Sequence, residues 1–372
     1  MSDHRDDAGL SLVQPVAKQQ RLAVRIGRVV AALMLGGIGS AIARQINLPL
    51  PFLLGPLICC GVASIAGLTL LPLPWGREVG QIVVGLAIGF RFTPDVMHAT
   101  FQLLPAMALC TIGVILVTSV AAALMHRLSG VDRKTAFFAT AAGGLAEMAV
   151  VARDRGGDAE AVSVVHAIRV VGIVLAVPIL VTILGEDGGL APMLTPTEGE
   201  LLNLLAVMVI AISAAFLLRP LRLPNMWLLS SVAIGIIIAA DDLVTIAMPR
   251  YLLTVAQILI GVWLGCRFNR TLLLRLPRVT FAAVVTTTLL LFVAAAGALL
   301  LSSTTGLPFS TSLLALAPAG VTEMVLTATV MHLDAATVTA FHVMRIVVIA
   351  TTIVMTFRMF DGVSRWFDGS RL

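Results

Sequence analysis

The chain has 372 residues, of which 59% are hydrophobic and 12% are charged, and its mean hydropathy is +1.02. Soluble domains carry roughly 25% charged residues, so this composition excludes an ordinary soluble domain and predicts a membrane protein. The net charge of +5 does not indicate nucleic-acid binding, because the basic residues are scattered in short loops without the interleaved aromatic residues of a single-strand binding groove.

Residues 1–20 are polar and are predicted to form a cytoplasmic tail ahead of the first membrane helix. Arg21, Arg25 and Arg28 precede an apolar run ending in "SAIA", which also resembles a secretory signal peptide. The length of the charged leader, and a matching helix that opens the second half of the chain, favour a membrane helix over a cleaved signal.

Two series of predicted helices follow, and their members come in the same order. Each series has three helices, a long fourth helix, a glycine-interrupted segment that carries a Glu, and a last helix that carries His and Arg. The first series is predicted at 29–43, 50–70, 78–91, 101–126, 135–152 and 159–185, and the second at 201–218, 224–240, 254–267, 279–301, 311–330 and 335–357. The longer helices are sufficient to cross a hydrocarbon core of about 30 Å.

The two series are copies of one unit. At an offset of 176 residues, "QIVVGLAIGFRF" (81–92) aligns with "QILIGVWLGCRF" (257–268), with six identities in twelve positions. Without a gap, "AAGGLAEM" then aligns with "APAGVTEM", and "DAEAVSVVHAIRVV" with "DAATVTAFHVMRIV". Because polar residues are costly inside a membrane, their paired recurrence indicates shared roles. We predict two homologous membrane repeats, 21–188 and 199–362.

The distribution of Lys and Arg suggests how the repeats cross the membrane. If all six segments cross, the loop 186–200, which has no Lys or Arg, lies on the same side as the basic N-terminus. If the Glu segment instead makes no full crossing, each repeat crosses five times and the second copy is inverted. The predicted fold is an all-α polytopic membrane protein with inverted repeats, about ten crossings and two broken or re-entrant helices, a plan that recurs in secondary transporters.

The last helix of each repeat carries the candidate substrate-binding residues His166 and Arg169, and His342 and Arg345. Each Arg is about 11 residues into its helix, roughly 16 Å, which is near the middle of the membrane. One interpretation is that Arg169 and Arg345 bind an anion through their planar guanidinium groups. The alternative is that each Arg is only neutralised by the Glu of its own repeat.

The Glu segments carry the candidate coupling residues Glu147 and Glu323. Glycine and proline allow a helix to break where its backbone faces a polar cavity. The broken-helix positions are Gly143, Gly144, Pro318 and Gly320. A carboxyl group in such a cavity is a plausible proton carrier.

Gln81 and Gln257 each precede a GxxxG pattern, whose glycines are predicted to allow close helix packing. We assign both Gln side chains to the candidate substrate site, although they can equally cap a broken helix.

The sequence does not indicate an enzyme, a metal or a cofactor. The cysteines Cys59, Cys60, Cys110 and Cys266 fall in apolar segments without CxxC spacing. The six histidines form no HExxH or three-His cluster, and neither a GxSxG elbow nor a Walker loop is present.

The paired motifs "AGGLAEM" and "PAGVTEM", "QIVVGLAIGFRF" and "QILIGVWLGCRF", and "HAIRV" and "HVMRI" resemble the Gram-negative membrane proteins called AbrB over about 30–358. The resemblance implies a polytopic inner-membrane protein with a duplicated membrane domain. Members have been labelled as an ammonia monooxygenase or as a regulator of aidB expression. The family is also similar, at a distance, to cation/proton antiporter and anion transporter folds.

The sequence therefore predicts a secondary transporter of a small organic anion, coupled to protons, in the bacterial inner membrane. The alternative is a membrane regulatory protein that acts indirectly on gene expression. The expected partners are the lipid bilayer and a small anionic solute, with no nucleic acid. Self-association into a homo-oligomer is left open.

Overall fold

The computed structural model of the protein describes residues 7–184, 198–221, 224–240 and 248–369. Within these ranges every regular element is helical. The first half holds α1 (Asp7–Gln45), α2 (Pro51–Ala66), α3 (Gly76–Gly89), α4 (Pro94–Gln102), α5 (Leu104–Ser129), α6 (Arg133–Thr140), α7 (Leu145–Asp154) and α8 (Ala159–Leu184). The second half holds α9 (Glu198–Leu218), a 3-10 turn (Arg219–Leu221), α10 (Met226–Ala240), α11 (Arg250–Gly265), α12 (Arg270–Arg275), α13 (Pro277–Thr305), α14 (Phe309–Leu316), α15 (Val321–Val330) and α16 (Ala335–Gly369).

The described helices are those of a multi-pass membrane protein. Seven of them, in α1, α5, α8, α9, α11, α13 and α16, are long and apolar enough to cross a membrane. The bent pair of α3 and α4, with an angle of 93°, raises the number to eight if it forms one span. Shorter apolar helices lie at Pro51–Ala66, Met226–Ala239 and Val321–Val330.

Two short helices, α4 and α12, lie between the predicted elements and were not expected. α4 follows Thr93, whose hydroxyl accepts a hydrogen bond from the Val96 N–H at 3.4 Å. α12 follows Asn269, whose side-chain oxygen accepts from Thr271 N at 3.0 Å. Both Thr and Asn are good helix caps, but neither helix is long enough to show an apolar period.

The ends of the first repeat also differ from the predicted boundaries. α1 begins at Asp7, so this helix extends into the residues predicted to form a tail. The predicted junction between the repeats, 188–199, falls largely outside the described residues.

Most of the helices pack into two groups, which we call the first and second helix groups. The first group contains α1, α2, α3, α9, α10 and α11, and the second contains α5, α6, α7, α8, α13, α14, α15 and α16. The two groups meet where α3 contacts α15 and α16, and where α8 contacts α2 and α11. Each group therefore combines helices from both halves of the sequence.

The GxxxG patterns join the halves within the first group. A Cβ on Gly89 of α3 would lie 2.6 Å from the Cα of Gly235 in α10. A Cβ on Gly265 of α11 would lie 2.8 Å from the carbonyl oxygen of Leu57 in α2. Such close backbone approach requires glycine, so these patterns serve helix packing.

Candidate functional site

Both Glu segments are broken helices in the second helix group. α6 ends at Thr140 and α7 begins at Leu145, while α14 ends at Leu316 and α15 begins at Val321. The four predicted broken-helix residues, Gly143, Gly144, Pro318 and Gly320, lie in these two gaps. Each break exposes backbone carbonyl groups at the end of one half-helix and N–H groups at the start of the next.

Arg169 and Arg345 bind the carbonyl groups at these breaks. Arg169 Nη1 donates to the carbonyl oxygens of Thr140 and Ala141 at 2.8 and 2.9 Å. Arg345 makes similar bonds, to Ala317, which matches Ala141 in the first half of the sequence, and to Ala319, two residues further into the break. The Nη1 bond to Ala317 is 2.9 Å long and the Nη2 bond to Ala319 is 3.0 Å long. Each positive charge thus lies at the C-terminal, partially negative end of a half-helix, where it is electrostatically stabilised.

The two histidines connect each Arg to the same half-helix. His166 Nε2 lies 3.0 Å from the Phe138 carbonyl oxygen, and its Nδ1 lies 3.2 Å from Arg169 Nη2. His342 contacts the Leu314 carbonyl oxygen and Arg345 at 2.9 and 2.8 Å. A guanidinium group only donates hydrogen bonds, so Nδ1 must accept and Nε2–H must donate to the carbonyl group. Both rings are therefore neutral Nε2–H tautomers in this arrangement.

Glu147 and Glu323 lie at the opposite side of each break, in the first turn of α7 and α15. The Glu147 carboxylate lies against Gly144, the residue that precedes α7. A Cβ on Gly144 would lie only 2.9 Å from that carboxylate, and one on Gly320 would collide with the carboxylate of Glu323. The glutamates therefore cap the positive ends of their half-helices, and the glycines leave room for them.

This geometry corrects one alternative from the sequence, that each Arg is neutralised by the Glu of its own repeat. Among the described residues, no ion pair joins Arg169 to Glu147 or Arg345 to Glu323. Arg and Glu instead bind opposite ends of the broken backbone.

Direct anion binding by the two arginines stays a prediction. The Nε of each is buried without an acceptor in the described part of the chain. Ligand binding by the histidines would require one of their hydrogen bonds to break.

A polar network crosses from the first helix group to the second. Gln81 Nε2 donates to Thr322 Oγ1 at 3.0 Å and to Asn225 Oδ1 at 3.1 Å. Arg77 Nη2 donates to the same Asn225 oxygen at 2.7 Å. The amide oxygens of Gln81 and Gln257 are both buried, with no hydrogen-bond donor among the described residues. Gln81 thus links α3 to the start of α15. The side chain of Gln257 makes no hydrogen bond to another described residue.

Two further arginines lie beside this network. The guanidinium groups of Arg77 and Arg267 lie over the indole ring of Trp263, 4.5 and 4.3 Å from its centroid. The charge of Arg77 acts on Glu147 of the second helix group, and Glu323 of that group acts on Arg267. Two cations of the first helix group therefore face the carboxylates that cap the broken helices.

The sequence did not identify Arg77, Asn225, Trp263, Arg267 or Thr322 as site residues. Arg77 precedes the predicted helix 78–91, and Arg267 is the last residue of the predicted helix 254–267. Trp263 and Thr322 have no polar counterpart in the other repeat, where Ala87 and Ala146 stand at the matching positions. A search for polar residues that recur in both halves of the sequence therefore does not find Trp263 or Thr322. The described residues contain no group of three or more His, Cys, Asp or Glu side chains that would hold a metal ion.

Comparisons with known proteins cover most of the chain. A model of the family described as "Transition state regulatory protein AbrB" matches residues 70–361. A Bacillus subtilis (strain 168) protein named "Uncharacterized protein YhjN" is 25% identical over 359 residues, which cover 88% of this chain and 91% of that protein. An Escherichia coli (strain K12) protein named "Putative regulator AbrB" is 26% identical over 311 residues, which cover 82% of this chain and 89% of that protein.

Proposed function

The chain belongs to the AbrB family, and from that premise we propose that it is a secondary transporter of a small organic anion, coupled to protons. The observation that carries the proposal is the pair of broken helices with charged groups at their breaks, packed against the first helix group. Breaks of this kind expose backbone groups and helix dipoles inside a membrane protein, and secondary transporters use them to bind solutes and ions.

The proposed topology has ten crossings in two inverted repeats, in the bacterial inner membrane. The crossings are α1, α2, α3, α5 and α8 in the first repeat, and α9, α10, α11, α13 and α16 in the second. The broken helices α6–α7 and α14–α15 enter without a full crossing. An odd number of crossings per repeat inverts the second copy and keeps the basic loops on one side.

The proposed anion site lies where the two helix groups meet, beside the breaks. An anion there is attracted by the arginines on both sides of the interface. Glu147 and Glu323 are proposed to exchange protons with the solvent during the transport cycle. Protonation of these carboxylates removes negative charge from the site and strengthens anion binding, so anion and protons bind together and move in the same direction.

Transport by purified protein in sealed lipid vesicles tests the proposal. A panel of labelled mono- and dicarboxylates is first screened for ligands that raise the thermal stability of the protein, because a ligand stabilises the state it binds. Uptake of each stabilising anion is then measured with and without an imposed pH gradient. Uptake driven by an inward proton gradient supports the proposal, and uptake of no member of the panel contradicts it.

Glutamate variants test the proton coupling separately. Glu147→Gln and Glu323→Gln keep the shape of the side chain and remove its titration, so stimulation by the pH gradient should disappear while anion binding remains. Glu160→Gln is the matched control, because Glu160 is an exposed carboxylate at the start of α8. Unchanged stimulation by the gradient in both interior variants would assign Glu147 and Glu323 to helix capping alone.

A regulatory membrane protein is the second candidate, and it is favoured by the name of the Escherichia coli relative, "Putative regulator AbrB". Such a protein would act on gene expression through a partner. Deletion of the gene should then alter transcript levels, and a variant that binds no anion should restore them. If the wild-type protein restores the transcript levels and this variant does not, the effect on expression depends on transport.

A further inference from the structure

We infer that Arg77, Trp263 and Arg267 form the recognition site for the anion, and that the anion is a small dicarboxylate with two negative charges. The inference rests on the proposed transport function and goes further, because it names the contact residues and the charge of the substrate. We call these three residues the arginine–tryptophan cluster.

The donor groups of the cluster are the first argument. Arg267 makes no hydrogen bond to any described residue, although its guanidinium group carries five N–H donors. Arg77 Nη2 donates a hydrogen bond to Asn225, but the Nε of Arg77 is buried without an acceptor among the described residues. Arg169 and Arg345, by contrast, use their Nη groups on the carbonyl groups at the helix breaks. The cluster therefore holds the guanidinium groups with the most donors left for a ligand.

The repulsion within the cluster is the second argument. Arg77 and Arg267 share the ring of Trp263, and their two positive charges act against each other. Cation–π contact with the indole ring stabilises each guanidinium group by only about 0.5–2 kcal/mol. Glu147 and Glu323 offset these charges in part, but each of them lies against the glycine at the start of its own half-helix. An anion bound directly to both guanidinium groups would relieve the remaining repulsion.

The two guanidinium groups of the cluster give the class of ligand. Each presents N–H donors that suit one carboxylate group, so together they suit an anion with two carboxylates. A monocarboxylate would leave one of the two guanidinium groups without a partner.

The shape of the cluster favours a dicarboxylate over an inorganic dianion. A guanidinium group binds a planar carboxylate through two parallel hydrogen bonds. Both guanidinium groups lie within 4.5 Å of the same indole centroid, so a short carbon chain can join the two carboxylates that they bind. A compact ion such as sulfate has no such chain and reaches one guanidinium group at a time.

The test measures binding to the purified full-length protein in lipid nanodiscs at neutral pH. The probes are succinate, its monomethyl ester, which has one charge fewer, and sulfate. Succinate should raise the thermal stability and change the tryptophan emission, with at least tenfold tighter binding than either other probe. The emission change should vanish in Trp263→Phe. Equal binding of the monoester or of sulfate would overturn the dicarboxylate assignment.

The variants Arg77→Gln and Arg267→Gln test the site itself. Each should weaken succinate binding at least tenfold. The thermal stability of the ligand-free protein should stay the same or rise in Arg267→Gln because repulsion is relieved, whereas Arg77→Gln also loses the hydrogen bond to Asn225. Arg270→Gln is the matched control, because Arg270 is exposed and only three residues from Arg267. A fall in ligand-free stability with unchanged succinate affinity would show that the cluster is structural and would overturn the inference.

Failure of this site and failure of the transport function give different results. If Arg77→Gln and Arg267→Gln bind and transport succinate as the wild type does, the transporter proposal stands and the site assignment is wrong. If the wild type binds no dicarboxylate but transports a monocarboxylate, the inference is overturned and the transporter proposal stands. If the wild type binds and transports neither, both are overturned.

Discussion

Gln81 donates a hydrogen bond of 3.0 Å to Thr322, a residue 241 positions further along the chain. Both side chains are buried, Gln81 on α3 of the first helix group and Thr322 in the first turn of α15 in the second. The bond therefore fixes one helix group against the other next to a helix break. Any movement of the groups relative to each other has to break it.

A double-mutant cycle on this pair should show coupling. Gln81→Leu and Thr322→Val each remove one partner of a buried hydrogen bond, so each should lower the free energy of unfolding by about 1–2 kcal/mol. The double variant should lose less than the sum, with a coupling of about 1 kcal/mol. Thr329→Val is the control, because the Thr329 hydroxyl donates to the Val325 carbonyl oxygen of its own helix and to no other described residue. Additive losses in detergent unfolding would contradict the cross-group link.

A second cycle distinguishes a helix-end cap from an ion pair. Arg169→Ala leaves two buried carbonyl groups and a histidine nitrogen without donors, and should destabilise the protein by about 3 kcal/mol or more. Because Arg169 and Glu147 bind different ends of the break, Glu147→Ala should not rescue that loss. Recovery of most of the stability in the double variant, measured by thermal or denaturant unfolding, would instead show an ion pair.

The tautomers of the two buried histidines can be observed directly. Because Arg345 donates to Nδ1 of His342, and Nε2 faces the Leu314 carbonyl oxygen, the ring should carry its proton on Nε2. Nitrogen-15 spectra of histidine-labelled protein at neutral pH should show this tautomer for His166 and His342. In His342→Phe both signals of that ring disappear, which assigns them. A doubly protonated ring at neutral pH would contradict the proposed hydrogen-bond network.

Gly144→Ala should disrupt the cap of α7. The added Cβ would approach the Glu147 carboxylate to 2.9 Å, so the carboxylate has to leave the helix end. Loss of such a cap lowers stability by about 1–2 kcal/mol. Gly113→Ala is the control, because a Cβ there meets nothing within 4 Å. Equal melting temperatures for the two variants would contradict the cap.

The inverted topology predicts opposite sides for two loops. Alkaline phosphatase, which is active only outside the cytoplasm, should be active when fused near Gly189 and inactive when fused near Arg275. Gly189 lies in the loop that contains no Lys or Arg, and outside the described residues. Activity of both fusions, or the reverse pattern, would contradict an inverted second repeat.

The sequence alone determined the membrane class, the helical fold and the positions of the helix breaks. These properties are local, since an apolar run long enough to span a membrane, or a glycine-rich interruption within it, is visible in a short window. The breaks at Gly143–Gly144 and Pro318–Gly320 are of this kind. The paired polar residues were found because similar sequence motifs recur at a constant offset of 176 residues.

Only the tertiary structure decided which groups these residues bind. Arg169 lies 28 and 29 residues from the carbonyl groups it holds, and Gln81 lies 241 residues from Thr322. From the sequence, the partner of Arg169 was either a bound anion or Glu147. In the structure both charges are satisfied by the dipoles of the broken helices, which a sequence pattern does not show. The arginine–tryptophan cluster was missed for a related reason, because its members come from α3 and from the end of α11 and meet only after the two halves of the chain have packed together.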